Sequence, residues 1–560
     1  MNAPVCITDI HAALMARHAD LIAKAIDAVS SRKAWSPFQD SPSTRIHGPD
    51  KPEAGKAAFE AQLGHIFELD MPGIQDHVGA EVSPYTGQAL GITYPRCDPE
   101  ALITAAQTAW PQWRSADPDL RLALCAEMAL RLYEVNFEMA QAVMHVTGQS
   151  YTQAFSGSGP NALDRGIEAL AYAAKAMRDV TRTARYERSF AGEAVLLDKT
   201  YSLIPRGLGL VICCASFPTW NAYPALFASL ATGNPVILKP HPIAILPMAI
   251  VARECRQVLQ DFGFDPNLIG LSVDTLDEPI AQHFVDHPAI QIVDFTGSPR
   301  YGGHLERTVT GKLLFTETAG VNTVVVESSP DLEAAARAVA RAASLFSAQM
   351  CTSPQVVYVA PAMAEAFGRE LVAQIDAIAN DAPMAAGIMG AIQGDVSLKA
   401  VSDVRAAVEG RPDVRILREA APYAHPQFPQ ARTLTPLVLA VEGSAPDLYA
   451  EEHFGPVLFV VTMEADAAVA EATELARTKG SISSYLYSTD EDFIDRSAPL
   501  YEQAGANLTI NLTGAMWINF AAAYSDYHVT GLNPAGNACL ADLAFVAGRF
   551  RIVQRRRPTV

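Results

Sequence analysis

Apolar residues recur at helical spacing over residues 8–34, with Leu14, Leu21, Ala25 and Val29 on one face, and the spacing predicts a single helix there. A polar, proline-containing stretch over 36–52 separates it from a second helical pattern at 54–67. Asp98-Pro99-Glu100 opens a further helix, with a capping carboxylate and proline at the first helical position. Asp117-Pro118 opens another, expected to run to about Val146 and to stop before Gly148; one more covers 161–181. Over 186–201 the pattern shortens to β-leaning residues. Apolar runs then alternate with helical segments. Strands are expected at 208–214, 236–239, 268–273, 290–295 and 312–316, with the clearest helix at 243–262. This βαβ alternation predicts an α/β fold with a parallel sheet covered on both faces. Such sheets bind ligands beyond the carboxyl ends of their strands. A helix over 331–347 leads through a polar turn into a buried strand at 355–359, and a second α/β region continues to about 512, including a strand at 483–488. The chain is mixed from about 516 and finishes in a β-leaning 545–554.

Composition narrows the partners. At 560 residues the chain has room for roughly three to four modules of about 150 residues. Its 61 acidic against 42 basic residues argue against nucleic acid and anionic membrane as main partners. Arg555-Arg556-Arg557 is a local exception that reads as a solvated tail or subunit contact. The eight cysteines contain no CxxC pair, so no metal site is expected. The start lacks a signal-peptide pattern and no apolar run reaches the roughly 20 residues of a membrane span. The expectation is a reduced, soluble, cytoplasmic protein.

Three places carry candidate chemistry. Cys351 follows Phe346-Ser347-Ala348-Gln349-Met350 in the polar turn between helix and strand. A free cysteine is usually a small buried residue, but a thiol on such a turn is placed for attack. Upstream, Phe315-Thr316-Glu317-Thr318-Ala319-Gly320 puts a carboxylate at a strand end beside a glycine that permits close approach. Lys239 ends a strand, where a lysine reaches a ribose or phosphate or is simply solvated. Thr296-Gly297-Ser298 ends another strand and opens a helix, whose backbone N–H groups suit a pyrophosphate; a plain strand-to-helix turn reads the same way.

Taken in order, Ala231-Thr232-Gly233-Asn234, Lys239-Pro240, Phe295-Thr296-Gly297-Ser298, Glu317, Gln349-x-Cys351 and Glu451-Glu452-x-Phe454-Gly455-Pro456 resemble the aldehyde dehydrogenase superfamily. The resemblance runs from about Val82 to the C-terminus and includes the 34-residue separation of Glu317 and Cys351. It implies a Rossmann-type cofactor domain at 78–185 and 206–318, a catalytic domain at 319–515, a small β oligomerisation element at 186–205 and 516–560, and a helical N-terminal extension at 1–77. It implies that Cys351 attacks an aldehyde as thiolate, that hydride passes to the nicotinamide of NAD or NADP, and that Glu317 activates the water that hydrolyses the thioester or takes the thiol proton first. Glu452 is implied to hold the nicotinamide ribose, Phe454 to pack near the ring, Lys239 to bind the adenosine ribose, and Gly297 and Ser298 to lie by the pyrophosphate.

The chain departs from the family pattern in places. Ser216 stands where the family has an asparagine that donates to the developing oxyanion; Asn221 lies five residues on, and either can donate beside the Cys351 N–H. Glu317 is followed by Thr-Ala-Gly rather than Leu-Gly-Gly. The acid that NAD-preferring members often carry three residues after the lysine is replaced by Pro242, and no carboxylate stands nearby in sequence, so NADP is expected to be accepted. The N-terminal extension, the stretch from Ser216 to Asn221 and the stretch from His528 to Pro534 resemble the phenylacetate-degradation (PaaN-type) branch. That branch implies a ring-opened, CoA-linked semialdehyde as substrate, in a homodimer or homotetramer. Two other classes stay open: transfer of the acyl group to coenzyme A, and a non-catalytic scaffold on the same fold. The retained Cys351, Glu317, Lys239 and Glu452 count against the scaffold.

Overall fold

The computed structural model describes residues 7–318, 320–514, 529–530 and 542–559. Two parallel sheets organise it, and the cleft discussed below lies where they face each other. The first has five strands in the order Ile269–Leu271, Val236–Lys239, Leu208–Ile212, Ile290–Gly297 and Leu313–Thr318, all parallel. Its strand order reverses between Leu208–Ile212 and Ile290–Gly297, the kind of crevice in which open α/β sheets take ligands. The second has seven strands in the order Val414–Arg418, Leu437–Glu442, Val457–Thr462, Pro354–Val359, Asn322–Val326, Ser484–Tyr487 and Leu508–Ile510. Only its edge strand Val414–Arg418 is antiparallel. Val, Ile and Leu fill both sheets because each strand is covered on two faces.

Local signals hold where their chemistry is local. Asp98 caps the Pro99–Ser115 helix by accepting from the Glu100 N–H at 3.1 Å, and Gly148, at φ 89°, ends Asn136–Thr147 in the left-handed conformation. The helix expected from Pro118 to about Val146 is two helices, Pro118–Glu134 and Asn136–Thr147, broken at Val135. No glycine or proline marks the break, and the apolar spacing runs through it. The side chain of Asn136 is turned to donate to the Phe155 carbonyl at 3.1 Å. The 54–67 pattern forms Asp50–Glu60, a turn earlier than expected, preceded by a short Thr44–His47. The β-leaning 545–554 splits: Asp542 caps a helix at Leu543–Ala547, and only then does the strand Phe550–Pro558 begin.

That last strand is antiparallel to Glu193–Pro205, which pairs in turn with Thr183–Phe190 in a three-stranded, largely exposed sheet. Arg555, Arg556 and Arg557 lie in it, opposite Thr200, Lys199 and Asp198. The N-terminal helix Ile7–Ser31 packs on Pro118–Glu134 and Pro160–Arg178. Its Leu14, Ile22, Ala25 and Val29 join the core of the first α/β region. Among the described residues no helix is long and apolar enough to cross a membrane.

Candidate active site

Cys351 sits in the turn that enters the Pro354–Val359 strand, at the amino edge of the seven-stranded sheet. The approach to it is unusual. Phe346, Ser347 and Ala348 have φ of 49°, 48° and 52°, left-handed backbone in three buried non-glycine residues. Each such residue costs about 1–2 kcal/mol, so surrounding contacts must hold the turn. The Ser347 hydroxyl reaches the carbonyls of Met389 at 3.1 Å and Leu434 at 3.3 Å. Gln349 donates to the carbonyls of Phe346 and Ala391 and accepts from the Gln393 N–H at 2.9 Å. Beyond the cysteine, Asn322 donates to the carbonyls of Cys351 at 2.8 Å and Ser353 at 3.0 Å, while its own oxygen accepts from the N–H groups of Ile482 and Ser483. Every hydrogen-bonding position of the Asn322 amide is engaged, and the side chain ties the nucleophile's loop to the segment at Ile482 and Ser483. No motif in the sequence marks Asn322; a polar amide opening a run of valines is the one signal that could have found it.

Glu317 lies in Leu313–Thr318, beside Thr296 of the neighbouring strand, and is buried. It reaches the same cleft as Cys351, from the other sheet. Gly320, two residues past that strand, admits the backbone of Gly480: a Cβ there would lie 2.1 Å from the Gly480 carbonyl oxygen. The expected close approach is therefore to Gly480. Burial pushes the Cys351 thiol well above its ordinary range, and Glu317, Cys214 and Glu452 push it the same way. Burial alone pushes the Glu452 carboxyl up to about 8. Without a bound partner the nucleophile is a protonated thiol facing two acids, and its activation requires a base.

The cleft, of about 640 Å³, is lined by Cys351, Glu317, Ser216, Asn221, Lys239, Gly297, Ser298, Glu452 and Phe454 together. All nine candidate residues thus converge, from the carboxyl edge of one sheet and the amino edge of the other. Asn221 precedes the Ala222–Ala231 helix, and its side chain makes no capping bond there. Ser216 is tied by its carbonyl, which accepts from Gln149 at 2.8 Å, and a side-chain hydrogen bond links it to Cys214. Ser298 accepts weakly from the Tyr301 N–H at 3.4 Å, capping Pro299–Thr308 as a plain turn residue would. Asn234 works structurally, accepting from the Gly207 N–H and donating to the Arg549 carbonyl, and so joins the first sheet to the C-terminal strand.

Lys239 brings a finding the sequence could not carry. Its ammonium lies 2.6 Å from a carboxylate oxygen of Asp274, and both side chains are almost wholly buried. Asp274 follows the adjacent strand Ile269–Leu271. No carboxylate is near Lys239 along the chain, yet one is in contact with it in space. A cleft of this size that holds a lysine–carboxylate pair, a helix start beside Gly297, and a thiol with two acids suits a dinucleotide placed against an oxidisable substrate. Among the described residues no group of three or more metal-ligating side chains converges. The stretch from His528 to Pro534 lies outside the described residues apart from the backbone of Val529–Thr530, which pairs with Gly480–Ser481.

Comparison with known proteins agrees with this geometry. The profile of the aldehyde dehydrogenase family matches residues 75–520. A crystal structure described as an NAD-dependent aldehyde dehydrogenase from Burkholderia multivorans superposes with a TM-score of 0.92 at 41% identity, covering 98% of this chain and 99% of that one. A 1-pyrroline-5-carboxylate dehydrogenase of Bacillus pumilus is 24% identical over 509 residues, 86% of this chain and 92% of that protein. A methylmalonate-semialdehyde dehydrogenase structure from Sinorhizobium meliloti, complexed with NAD, shares the fold at a TM-score of 0.70 and 17% identity, over 87% of this chain and 96% of that one.

Proposed function

The chain belongs to the aldehyde dehydrogenase family and is an NAD(P)-dependent oxidoreductase, and from that premise we propose that it oxidises an aldehyde to a carboxylic acid through a covalent adduct on Cys351. One observation carries the reading: Cys351 and Glu317, contributed by different sheets, line one cleft together with Lys239.

The residues divide the work. Glu317 takes the thiol proton, which burial and neighbouring negative charge hold on Cys351. The thiolate then adds to the aldehyde carbon and forms a thiohemiacetal. Asn221 or Ser216, with the Cys351 N–H, donates to the oxygen as it gains charge. When bound, the nicotinamide cofactor accepts the hydride. Glu317, once it has passed the thiol proton to solvent, draws a proton from water, which attacks the thioester on Cys351; the acid leaves and the Cys351 thiolate is restored. Lys239 holds the adenosine ribose, Gly297 and Ser298 lie by the pyrophosphate, and Glu452 and Phe454 hold the nicotinamide end.

For the substrate, the lining cations are Lys239, at a strand end, and Arg300, in the first turn of Pro299–Thr308, both in segments assigned to the cofactor. Besides the acids Glu317 and Glu452 that act on the nucleophile, the described lining includes Phe217, Phe454, Asn221 and Gln393. This favours an aldehyde with an uncharged reactive end, such as a CoA-linked semialdehyde from aromatic-ring breakdown, over an amino-acid semialdehyde. The three-stranded sheet exposes Phe190, Val195, Ile204, Ile552 and Val553, which supports a homodimer or homotetramer built on that surface. The deciding experiment is an aldehyde panel followed by NADH and NADPH formation, with products analysed with and without free coenzyme A. The expected result is acid product independent of coenzyme A and complete loss of turnover in Cys351→Ala. Turnover that survives in that variant would remove the mechanism; acyl-CoA as sole product would replace hydrolysis by transfer.

A further inference from the structure

The buried pair Lys239–Asp274 bears on which dinucleotide is taken. Lys239 Nζ lies 2.6 Å from Asp274 Oδ1 and donates to the Pro240 carbonyl at 2.7 Å. Asp274 Oδ2 accepts from the Ile280 N–H at 2.9 Å, which fixes the carboxylate's orientation. Apart from the lysine, Asp274 Oδ1 has no hydrogen-bond partner among the described residues. Both side chains line the cleft, so the unfilled capacity of that oxygen lies beside whatever Lys239 binds.

The surroundings offer little to a 2′-phosphate. Pro240 and Pro242 have no N–H to donate. The Lys239 charge is already matched by Asp274. Burial, with the nearby Lys239 charge, lowers the His241 imidazole to about 4, so it stays neutral. The other lining cation, Arg300, follows the Ile290–Gly297 strand, three strand positions from Ile269–Leu271. At roughly 4.8 Å per strand it belongs to a different part of the cleft.

We propose that Asp274 is the specificity-determining residue that makes this enzyme prefer NAD to NADP, accepting from the ribose 2′-hydroxyl and repelling a 2′-phosphate. It does from the adjacent strand what the residue at Pro242 cannot. The inference rests on the reading of Lys239 as the adenosine-ribose residue, and it reverses the expectation drawn from sequence neighbours alone.

The test is a binding measurement on the full chain. NAD, NADP, ADP-ribose and its 2′-phosphate are titrated into wild type, Asp274→Asn and Asp274→Ser, following tryptophan fluorescence or heat, with thermal melts as the check on folding. Wild type is expected to bind the unphosphorylated member of each pair tighter by on the order of tenfold or more, from like-charge repulsion at short range. Asp274→Asn, which keeps shape and acceptor but removes the charge, should narrow that ratio by a similar factor, mainly by tightening the phosphorylated ligand. Equal affinities in wild type, or an unchanged ratio in folded variants, overturns the proposal while leaving the cofactor reading intact. Binding of none of the four ligands overturns both.

Discussion

The cleft and the seam beneath the N-terminal extension both bury carboxylates, and they treat them in opposite ways. In the seam, Glu138 accepts from both terminal nitrogens of Arg253 at 3.1 and 2.9 Å and also from Gln62. Glu127 accepts from His18 at 2.8 Å and Arg17 at 3.2 Å. Glu81 receives Tyr94 and the N–H groups of Ile245 at 2.5 Å and Leu246 at 3.0 Å. These acids are matched by donors, as buried charge requires. In the cleft, Glu452 is pushed up to about 8 by burial alone, and Glu317 and Glu452 both oppose the Cys351 thiolate. The difference teaches that burial does not itself mark a functional acid. What marks it is burial beside a reactive group.

The sharpest break is Glu317→Gln. Loss of the base should lower kcat by about 100-fold or more. The same change removes the negative charge that raises the Cys351 thiol, so the thiolate should form at lower pH. Iodoacetamide labelling of Cys351, followed across pH, is therefore expected to shift its midpoint downward as turnover falls. Glu452→Gln should shift it the same way by less, since its influence ranks behind those of Glu317 and Cys214. A midpoint that rises or stays fixed in Glu317→Gln would show that the cleft's carboxylates are compensated as the seam's are.

A smaller effect is expected at Ser347. Its hydroxyl holds a left-handed turn at φ 48° against two carbonyls. Ser347→Ala leaves those acceptors unmatched, at about 1–3 kcal/mol, and lets the strained turn relax away from the position that aims Cys351. kcat should fall by about tenfold, with unchanged affinity for the cofactor and an altered rate of Cys351 labelling. A variant that loses only thermal stability, with kcat and labelling intact, would make the turn structural.

Several of these features can be read along the chain and others cannot, for a consistent reason. Cys351, Glu317, Lys239 and the Asp98 cap announce themselves through residues within a few positions, and a strand or helix end is a local event. Asp274 and Asn322 act through partners 35 and 29 residues away, brought close by sheet order, which no local pattern encodes. The break at Val135 escapes because apolar spacing is blind to a kink that costs no buried surface. Leu543–Ala547 reads as strand because Phe and Val favour strands, and the Asp542 cap outweighs that preference.

No effect on turnover, only on stability, is expected at Asp164, where the seam behaves like the cleft. This acid, on Pro160–Arg178, accepts from the Ser36 hydroxyl at 2.7 Å. Burial, reinforced by Asp40 and Glu168, pushes it up to about 8, against the lowering effect of the Ser36 hydrogen bond. The folded chain keeps the proton that the unfolded chain releases near pH 4, so unfolding sheds a proton between those values. The stability held below pH 4 is therefore lost progressively as pH rises to about 8, and the loss is complete above it. Asp164→Asn keeps an acceptor for Ser36 and removes the ionisation. The melting temperature of the variant should match wild type near pH 4, pull ahead as pH rises, and level off above pH 8, with turnover unaffected throughout. Parallel melting curves across that range would mean that Asp164 is compensated like Glu127 and Glu138.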